Sequence, residues 1–209
     1  MTVDESPTIR QAADASEVRA AAELIALSFD RLAANRYLVP EASDRLPVMA
    51  DFFHILVEYA ADGNGEVSRT EDGSAVAVWF DRTREMPEMV DYEQRLKGAT
   101  GPYLDRFSAL DELLESHHPE QEHWHLAFLA VHPDRWGQGL GSALMRQTHT
   151  RLDQSGVPAY LEATNHDNHR VYLRHGYQDM DPASIHLPDG TPFYRMWRPA
   201  TVAAPQPLG

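Results

Sequence analysis

The chain has 209 residues, of which 43% are hydrophobic, and this length suits one domain with a substantial core. Its formal net charge of −14 argues against nucleic acid as a partner, because phosphate backbones are bound by clustered Lys and Arg. The absence of cysteine excludes disulfides, thiolate nucleophiles and cysteine-based metal sites.

The residue pattern of the N-terminal half predicts helices, a hairpin and an insertion. Residues 8–12 are expected to form an edge strand, and Ser16 is the expected N-cap of a helix that ends at residue 29. Residues 35–40 read as a loop and residues 45–61 as a second amphipathic helix. Strands over 66–70 and 74–80 form a hairpin, followed by helices over 86–97 and 104–115. Aromatic residues here are typical of a core, although one or two could line a substrate pocket: Tyr37, Phe52, Phe53, Trp79 and Phe80.

The C-terminal half predicts strands over 123–132 and 158–164 on either side of a helix over 142–152. A short helix follows, and strands over 177–186 and 193–197 close the fold. Residues 1–200 are expected to form a single domain, and the Ala/Pro-rich segment 201–209 a disordered tail. The chain begins without the features of a secretory signal and has no apolar run long enough for a membrane, so cytoplasm is the expected location.

Three alternating glycines mark the junction between a strand and a helix. Gly137, Gly139 and Gly141 allow a sharp turn and leave backbone N–H groups free at a helix N-terminus, where a phosphate or pyrophosphate binds well. A P-loop would need a lysine followed by Ser or Thr, and none is present here. The spacing also differs from the dinucleotide-binding G-x-G-x-x-G motif.

A second motif lies downstream, where Asn165, Asn168, Tyr172 and Gly176 follow the pattern Asn-x-x-Asn-x-x-x-Tyr-x-x-x-Gly. Together with the glycine loop and the preceding Val-x-Pro, this segment resembles the GNAT superfamily of N-acetyltransferases, and in particular its puromycin N-acetyltransferase-type members. The chain departs from the family pattern at Trp136, where Gln or Arg is usual.

The resemblance implies a GNAT fold, an α/β (α+β) architecture. Its mixed, mainly antiparallel sheet of six to seven strands is splayed between strands 4 and 5, with helices on both faces. It implies acetyl-CoA as cosubstrate and direct attack by an amine, with Tyr172 as general acid. The cofactor-binding residues that it implies are Leu129, Ala130, Val131, Trp136, Gly137, Gln138, Gly139, Leu140, Gly141, Ser142, Asn165, Asn168 and Tyr172.

The residue that takes up the amine proton is less defined. Glu162 is the catalytic candidate as a base or an ammonium ligand, although a structural hydrogen bond would explain it equally well. His123 and His125 alternate on the facing strand, and imidazole suits base catalysis, but structural histidines are commoner. Asn165 could contact the pantetheine arm or simply cap a helix. No histidine spacing matches a metal site.

The function expected is acetyl transfer to a small-molecule amine, with an antibiotic as one candidate, in a monomer or homodimer without nucleic-acid or membrane partners. Two alternatives remain: acetylation of protein or peptide N-termini, and a non-catalytic coenzyme A-binding module. The insertion near residues 86–118 disfavours the first if it covers the site.

Overall fold

A computed structural model describes residues 7–201. The strands are β1 (Ile9–Gln11), β2 (Gly65–Thr70), β3 (Ala75–Arg82), β4 (His123–Val131), β5 (Ala159–Ala163), β6 (Gln178–His186) and β7 (Pro192–Arg198). The helices are α1 (Ala15–Phe29), α2 (Ala33–Leu38), α3 (Ala42–Tyr59), α4 (Tyr92–Thr100), α5 (Leu104–Glu115), α6 (Leu140–Ser155) and α7 (His166–Arg174).

The strands form one sheet in the order β1-β2-β3-β4-β5-β7-β6. Neighbouring strands are antiparallel except β4 and β5, which are parallel and pair only at Trp124 with Ala159 and at His125 with Tyr160. Beyond these residues the two strands diverge and open a cleft in the sheet. The predicted fold, including the splay between strands 4 and 5, is confirmed.

Alternation along β3 builds the two faces of the sheet. Val76, Val78 and Phe80 pack into a core with α1 and α3, whereas Ala75 and Trp79 pack with α6 on the other face. Because successive side chains of a strand point to opposite faces, a fully apolar strand must be covered on both. Helices therefore lie on both sides of the sheet, as expected.

Several helix boundaries differ from the sequence-based predictions; α3, for example, spans Ala42–Tyr59 where residues 45–61 were predicted. The N-cap of α1 is Asp14 and not Ser16, since the Asp14 carboxylate accepts a hydrogen bond from the backbone N–H of Glu17. In the insertion, α4 begins at Tyr92, six residues after the predicted start at residue 86. Helix α6 begins at Leu140 rather than residue 142, directly after the left-handed Gly139.

The predicted loop over 35–40 is wrong, because residues 33–38 form α2. Asn35 and Leu38 are buried in this short helix, and the guanidinium of Arg45 binds the backbone oxygens of Val39 and Pro40 directly after it. Tertiary packing and this buried arginine stabilise a helix that is too short to be stable alone.

At the C-terminus, the predicted disordered tail lies almost wholly outside the described residues, which end at Thr201. The backbone N–H of Thr201 donates to Asp153. Over residues 7–201, no helix combines the length and apolarity needed to cross a bilayer.

The buried His149 makes stability depend on pH. Its Nε2 lies 3.0 Å from the Tyr177 hydroxyl, and burial, assisted by the nearby charge of Arg198, lowers the pKa of His149 to about 3. Below about pH 6.5 the imidazole of His149 binds a proton in the unfolded chain but stays neutral in the folded chain. The contribution of His149 to the free energy of unfolding is therefore lost as the pH falls from 6.5 towards 3. Between pH 7 and pH 5 the loss amounts to about 2 kcal/mol.

We expect His149→Gln to reduce the difference in unfolding free energy between pH 7 and pH 5 by about this amount, measured by urea denaturation at both pH values. The exposed His186 provides the control, since His186→Gln should leave the difference unchanged. An equal pH dependence in wild type and His149→Gln would contradict the assignment.

Candidate active site

The loop between β4 and α6 presents unpaired backbone donors. Gly137 and Gly139 adopt left-handed conformations, with φ of 77° and 76°, which only glycine adopts without strain. Gly139 is the N-cap of α6, and no side chain in the described part of the molecule caps this helix. The N–H groups of the first turn therefore remain available to an anion, as the glycine motif predicts.

Gly141 and Trp136 have different parts in this loop. A Cβ on Gly141 would lie 3.5 Å from the Leu129 side chain, an ordinary contact, so space alone does not require this third glycine. The Trp136 indole N–H donates to the carbonyl of Val131 at 2.7 Å, and 54% of the residue is exposed. Trp136 thus ties the loop to the end of β4 and occupies the carbonyl of Val131, one of the residues that the resemblance implies for cofactor binding.

Side chains around the loop hold its shape. Arg135 Nε donates to Gln138 Oε1 at 2.9 Å, and its Nη1 lies 3.2 Å from Asp72 in the turn between β2 and β3. Ser142 Oγ lies 2.9 Å from Nε2 of His175, which follows α7. Leu140 is buried against the sheet. The predicted loop residues therefore form one braced segment next to the cleft.

The two asparagines of the downstream motif make contacts with the protein itself. Asn165 Oδ1 accepts from the backbone N–H of Asn168 at 2.8 Å, so Asn165 is the N-cap of α7. Asn168 Nδ2 donates to Thr164 Oγ1 at 3.3 Å. Of the two alternatives for Asn165, the structure shows the helix cap.

Tyr172 lies on α7, with its ring 5.9 Å from the ring of Tyr177 in an edge-on arrangement. The side chain is partly buried, and its hydroxyl makes no hydrogen bond with any group among residues 7–201. Burial raises the pKa of Tyr172 above its ordinary value of about 10, so the phenol remains protonated at neutral pH. The hydroxyl is thus available as a donor to a bound molecule.

Glu162 on β5 and His125 on β4 form a hydrogen-bonded pair across the start of the splay. Their Oε2 and Nε2 atoms are 2.9 Å apart, and their side chains are only 8% and 12% exposed. Burial alone would raise the pKa of Glu162, but the interaction with His125 outweighs it, so this pKa is lowered. The remaining acceptors, Glu162 Oε1 and His125 Nδ1, are buried without a partner.

The pairing of His125 with Glu162 was missed by the sequence-based reasoning, which placed both residues on facing strands without joining them. The strand alternation offered a signal. His125 shares its register with Tyr160, and Glu162 lies two residues further on the same face of β5.

A second pair of histidines adjoins the first. His118 and His123 approach each other through their Nε2 atoms at 3.1 Å, and His123 Nδ1 lies 2.6 Å from the carbonyl of Gln121. Burial lowers the pKa of His118 to about 2 and that of His123 to about 4, so both rings are neutral at pH 7. Since a carbonyl needs a donor, His123 carries its proton on Nδ1 and accepts from His118. Within residues 7–201, no three His, Asp or Glu side chains form a group suited to a metal.

A cavity of about 550 Å³ opens beside the His125–Glu162 pair, between the sheet and helices α1 to α5. Most of its lining is apolar, and three of the five aromatic candidates contribute: Phe52, Phe53 and Phe80. Tyr37 does not line it, and Trp79 is buried on the opposite face of the sheet. A β-bulge at Ala127, where Phe128 faces Val78 and Leu126 faces Trp79, turns β4 along the cavity.

Comparison with known proteins bears on this arrangement of loop, splay and cavity. The model of the acetyltransferase (GNAT) family matches residues 56–177, which include the glycine loop and Tyr172. The chain belongs to this family. It is an acyltransferase, and acetyl-CoA is its cosubstrate.

Solved GNAT structures share the fold over nearly the whole chain. A protein from Corynebacterium glutamicum described as histone acetyltransferase HPA2 and related acetyltransferase is 25% identical, with a TM-score of 0.69 and coverage of 96% of this chain and 99% of that one. Arylalkylamine N-acetyltransferase 2 from Aedes aegypti is 14% identical, with a TM-score of 0.62 and coverage of 92% and 98%. PaiA N-acetyltransferase from Thermoplasma acidophilum, solved with coenzyme A, is 12% identical, with a TM-score of 0.56 and coverage of 93% and 99%.

The GNAT cosubstrate fits the groups found here. A diphosphate needs several N–H donors at one point, and the uncapped first turn of α6 supplies them. The pantetheine arm needs an unpaired strand edge, and β4 has one beyond His125, where β5 diverges.

Proposed function

We propose that the chain transfers acetyl from acetyl-CoA to the amine of a small molecule with an apolar body. The observation that carries this proposal is the hydrogen-bonded pair of His125 and Glu162, which lines an apolar cavity at the point where β4 and β5 separate. A cavity of this size and composition suits a small ligand better than a polar chain.

Each predicted site residue has a part in this proposal. Backbone N–H groups of residues 137–142 bind the pyrophosphate, with Arg135 as the neighbouring cation. Leu129 and Ala130 offer backbone groups to the pantetheine arm, while the Val131 carbonyl remains with Trp136. Asn165 and Asn168 act indirectly, because they shape the start of α7 and so orient Tyr172.

The His125–Glu162 pair and the Tyr172 phenol carry out the two proton transfers. When bound, the thioester supplies an activated acetyl group. His125 donates through Nε2 to Glu162, which leaves its Nδ1 lone pair free to take the proton that the amine loses. Imidazole takes up and releases protons near neutral pH, and the Glu162 carboxylate stabilises the charge that His125 gains. Tyr172 donates the proton that the departing sulfur needs.

The shape of the acceptor cavity disfavours the peptide alternative. Helices α4 and α5 contribute Tyr92, Leu110 and Leu114 to its wall, so the insertion covers the site where a peptide would need an open groove. An apolar cavity is consistent with an aromatic antibiotic amine. More specifically, we propose an acceptor of the kind used by puromycin N-acetyltransferase-type enzymes.

The loop can be tested through Gly139. We expect Gly139→Val to weaken coenzyme A binding at least about tenfold, because a β-branched residue in the left-handed conformation costs about 1–2 kcal/mol and distorts the donors. Isothermal titration calorimetry measures the affinity, and thiol release with a panel of arylalkylamines measures transfer.

Gly190 provides the matched control. It has a similar φ of 87° in a turn where an added Cβ would also meet nothing, so Gly190→Val carries comparable strain away from the loop. Equal coenzyme A affinity in the two variants would contradict the loop assignment, and no thiol release with any amine would contradict the proposed function.

A further inference from the structure

Besides the His125–Glu162 pair, the acceptor cavity has a second polar group, which lies on the helices that cover it. Asp111 of α5 lines the cavity and accepts a hydrogen bond at 2.7 Å from the hydroxyl of Tyr92, the first residue of α4. This bond uses Oδ2, and Oδ1 makes no hydrogen bond with any group in residues 7–201. Asp111 belongs to the helical layer, whereas the His125–Glu162 pair belongs to the sheet.

The charges around the cavity are unbalanced. Four carboxylates line it, those of Asp111, Glu112, Glu115 and Glu162, against the single arginine Arg82. Glu162 is paired with His125, and Glu115 lies 4.0 Å from Arg82. Asp111 forms no ion pair within the described chain, and burial raises its pKa despite the hydrogen bond from Tyr92. A partly buried carboxylate without a cation favours a cationic ligand.

Asn35 provides an independent indication of a ligand. This residue of α2 is only 4% exposed, lines the same cavity, and its Nδ2 is buried without a hydrogen-bond partner. A buried amide that lacks a partner costs about 1–3 kcal/mol, which a bound polar group would recover. Because the two ends of an amide are interchangeable by rotation, Asn35 can present its carbonyl oxygen or its NH₂ group.

We propose that Asp111, with Tyr92 and Asn35, forms a subsite for a second basic nitrogen of the acceptor. The preferred substrates are then compounds with two amines on an apolar body, one amine next to the His125–Glu162 pair and the other on Asp111. This inference rests on the proposed function, since it assigns the substrate class of the same cavity.

A matched pair of amines tests the subsite. Para-xylylenediamine and para-methylbenzylamine share an aromatic body and differ only in the second amine. We expect the wild-type enzyme to bind the diamine at least about tenfold more tightly than the monoamine, because a charge-assisted hydrogen bond contributes about this much to affinity. Calorimetry measures both affinities. Asp111→Asn should abolish this preference without changing the affinity for the monoamine, and Tyr92→Phe should reduce it.

The chain offers a control in the similar pair formed by Tyr103 and Asp44, which does not line the cavity. Asp44→Asn should retain the full preference for the diamine. An unchanged preference in Asp111→Asn, or none in the wild type, would overturn the subsite even if both amines are acetylated. The binding comparison decides the subsite whether or not the two amines are acetylated, whereas the proposed function fails only if no amine of the wider panel releases thiol.

Discussion

Replacing His125 by Gln is expected to lower kcat/KM about 1,000-fold, because a general base contributes about 100- to 10,000-fold and Gln cannot accept the amine proton. Gln can still reach Glu162 at the position of Nε2, so the coenzyme A affinity should be unchanged. Steady-state thiol-release kinetics across pH 5.5 to 9 would measure the effect.

The neighbouring His123 serves as the control. Its ring centroid lies 6.5 Å from that of His125, but it bonds to His118 and Gln121 and does not line the acceptor cavity. His123→Asn keeps a donor near Gln121 and should lower stability while leaving kcat unchanged. If His125→Gln retained wild-type kcat/KM, or if His123→Asn lost as much, His125 would not be the base.

Replacing Tyr172 by Phe is expected to lower kcat about 100-fold without weakening coenzyme A binding, because only the proton for the departing sulfur is removed. The hydroxyl makes no hydrogen bond within residues 7–201, so its loss should not change the free energy of unfolding. Single-turnover thiol release, together with urea denaturation, separates these two effects.

Tyr177→Phe is the matched control for Tyr172→Phe. This neighbouring hydroxyl bonds to His149, and its removal should cost about 1 kcal/mol of stability while leaving kcat unchanged. A Tyr172→Phe variant with wild-type kcat would show that the phenol is structural.

The glycine loop and the cap of α7 could be predicted from the sequence because each depends on only a few neighbouring residues. Gly137 and Gly139 adopt positive φ in the loop that they predict. Asn165 caps α7 by accepting a hydrogen bond from the backbone N–H of Asn168, three residues further along the chain. The order of strands followed from apolar runs separated by turns. The splay followed from the family resemblance carried by these motifs, and the short pairing of β4 with β5 confirms it.

Local sequence patterns predicted the wrong structure where tertiary packing determines whether a helix forms and where it begins. The segment containing Asn35 lacks a capping residue or a long apolar stripe and so reads as a loop, yet its burial and the contacts of Arg45 hold it as α2. For the same reason α4 begins later than predicted, since its first residue, Tyr92, is held by a hydrogen bond to α5.

The amino-acid order alone indicated the helices, the strands and the glycine loop, because strand alternation and turn geometry operate over a few residues. The fold, and Tyr172 as a candidate, followed from the family resemblance that the motifs carry, and Glu162 followed from its place on a predicted strand. The partners of these groups depended on the tertiary structure. His125 lies 37 residues from Glu162, and Asp111 lies 19 from Tyr92. The pairing of β4 with β5 brings His125 to Glu162, and the packing of α4 against α5 brings Tyr92 to Asp111. Helices α1 to α5, packed over the open sheet, then enclose the largely apolar cavity that both pairs line.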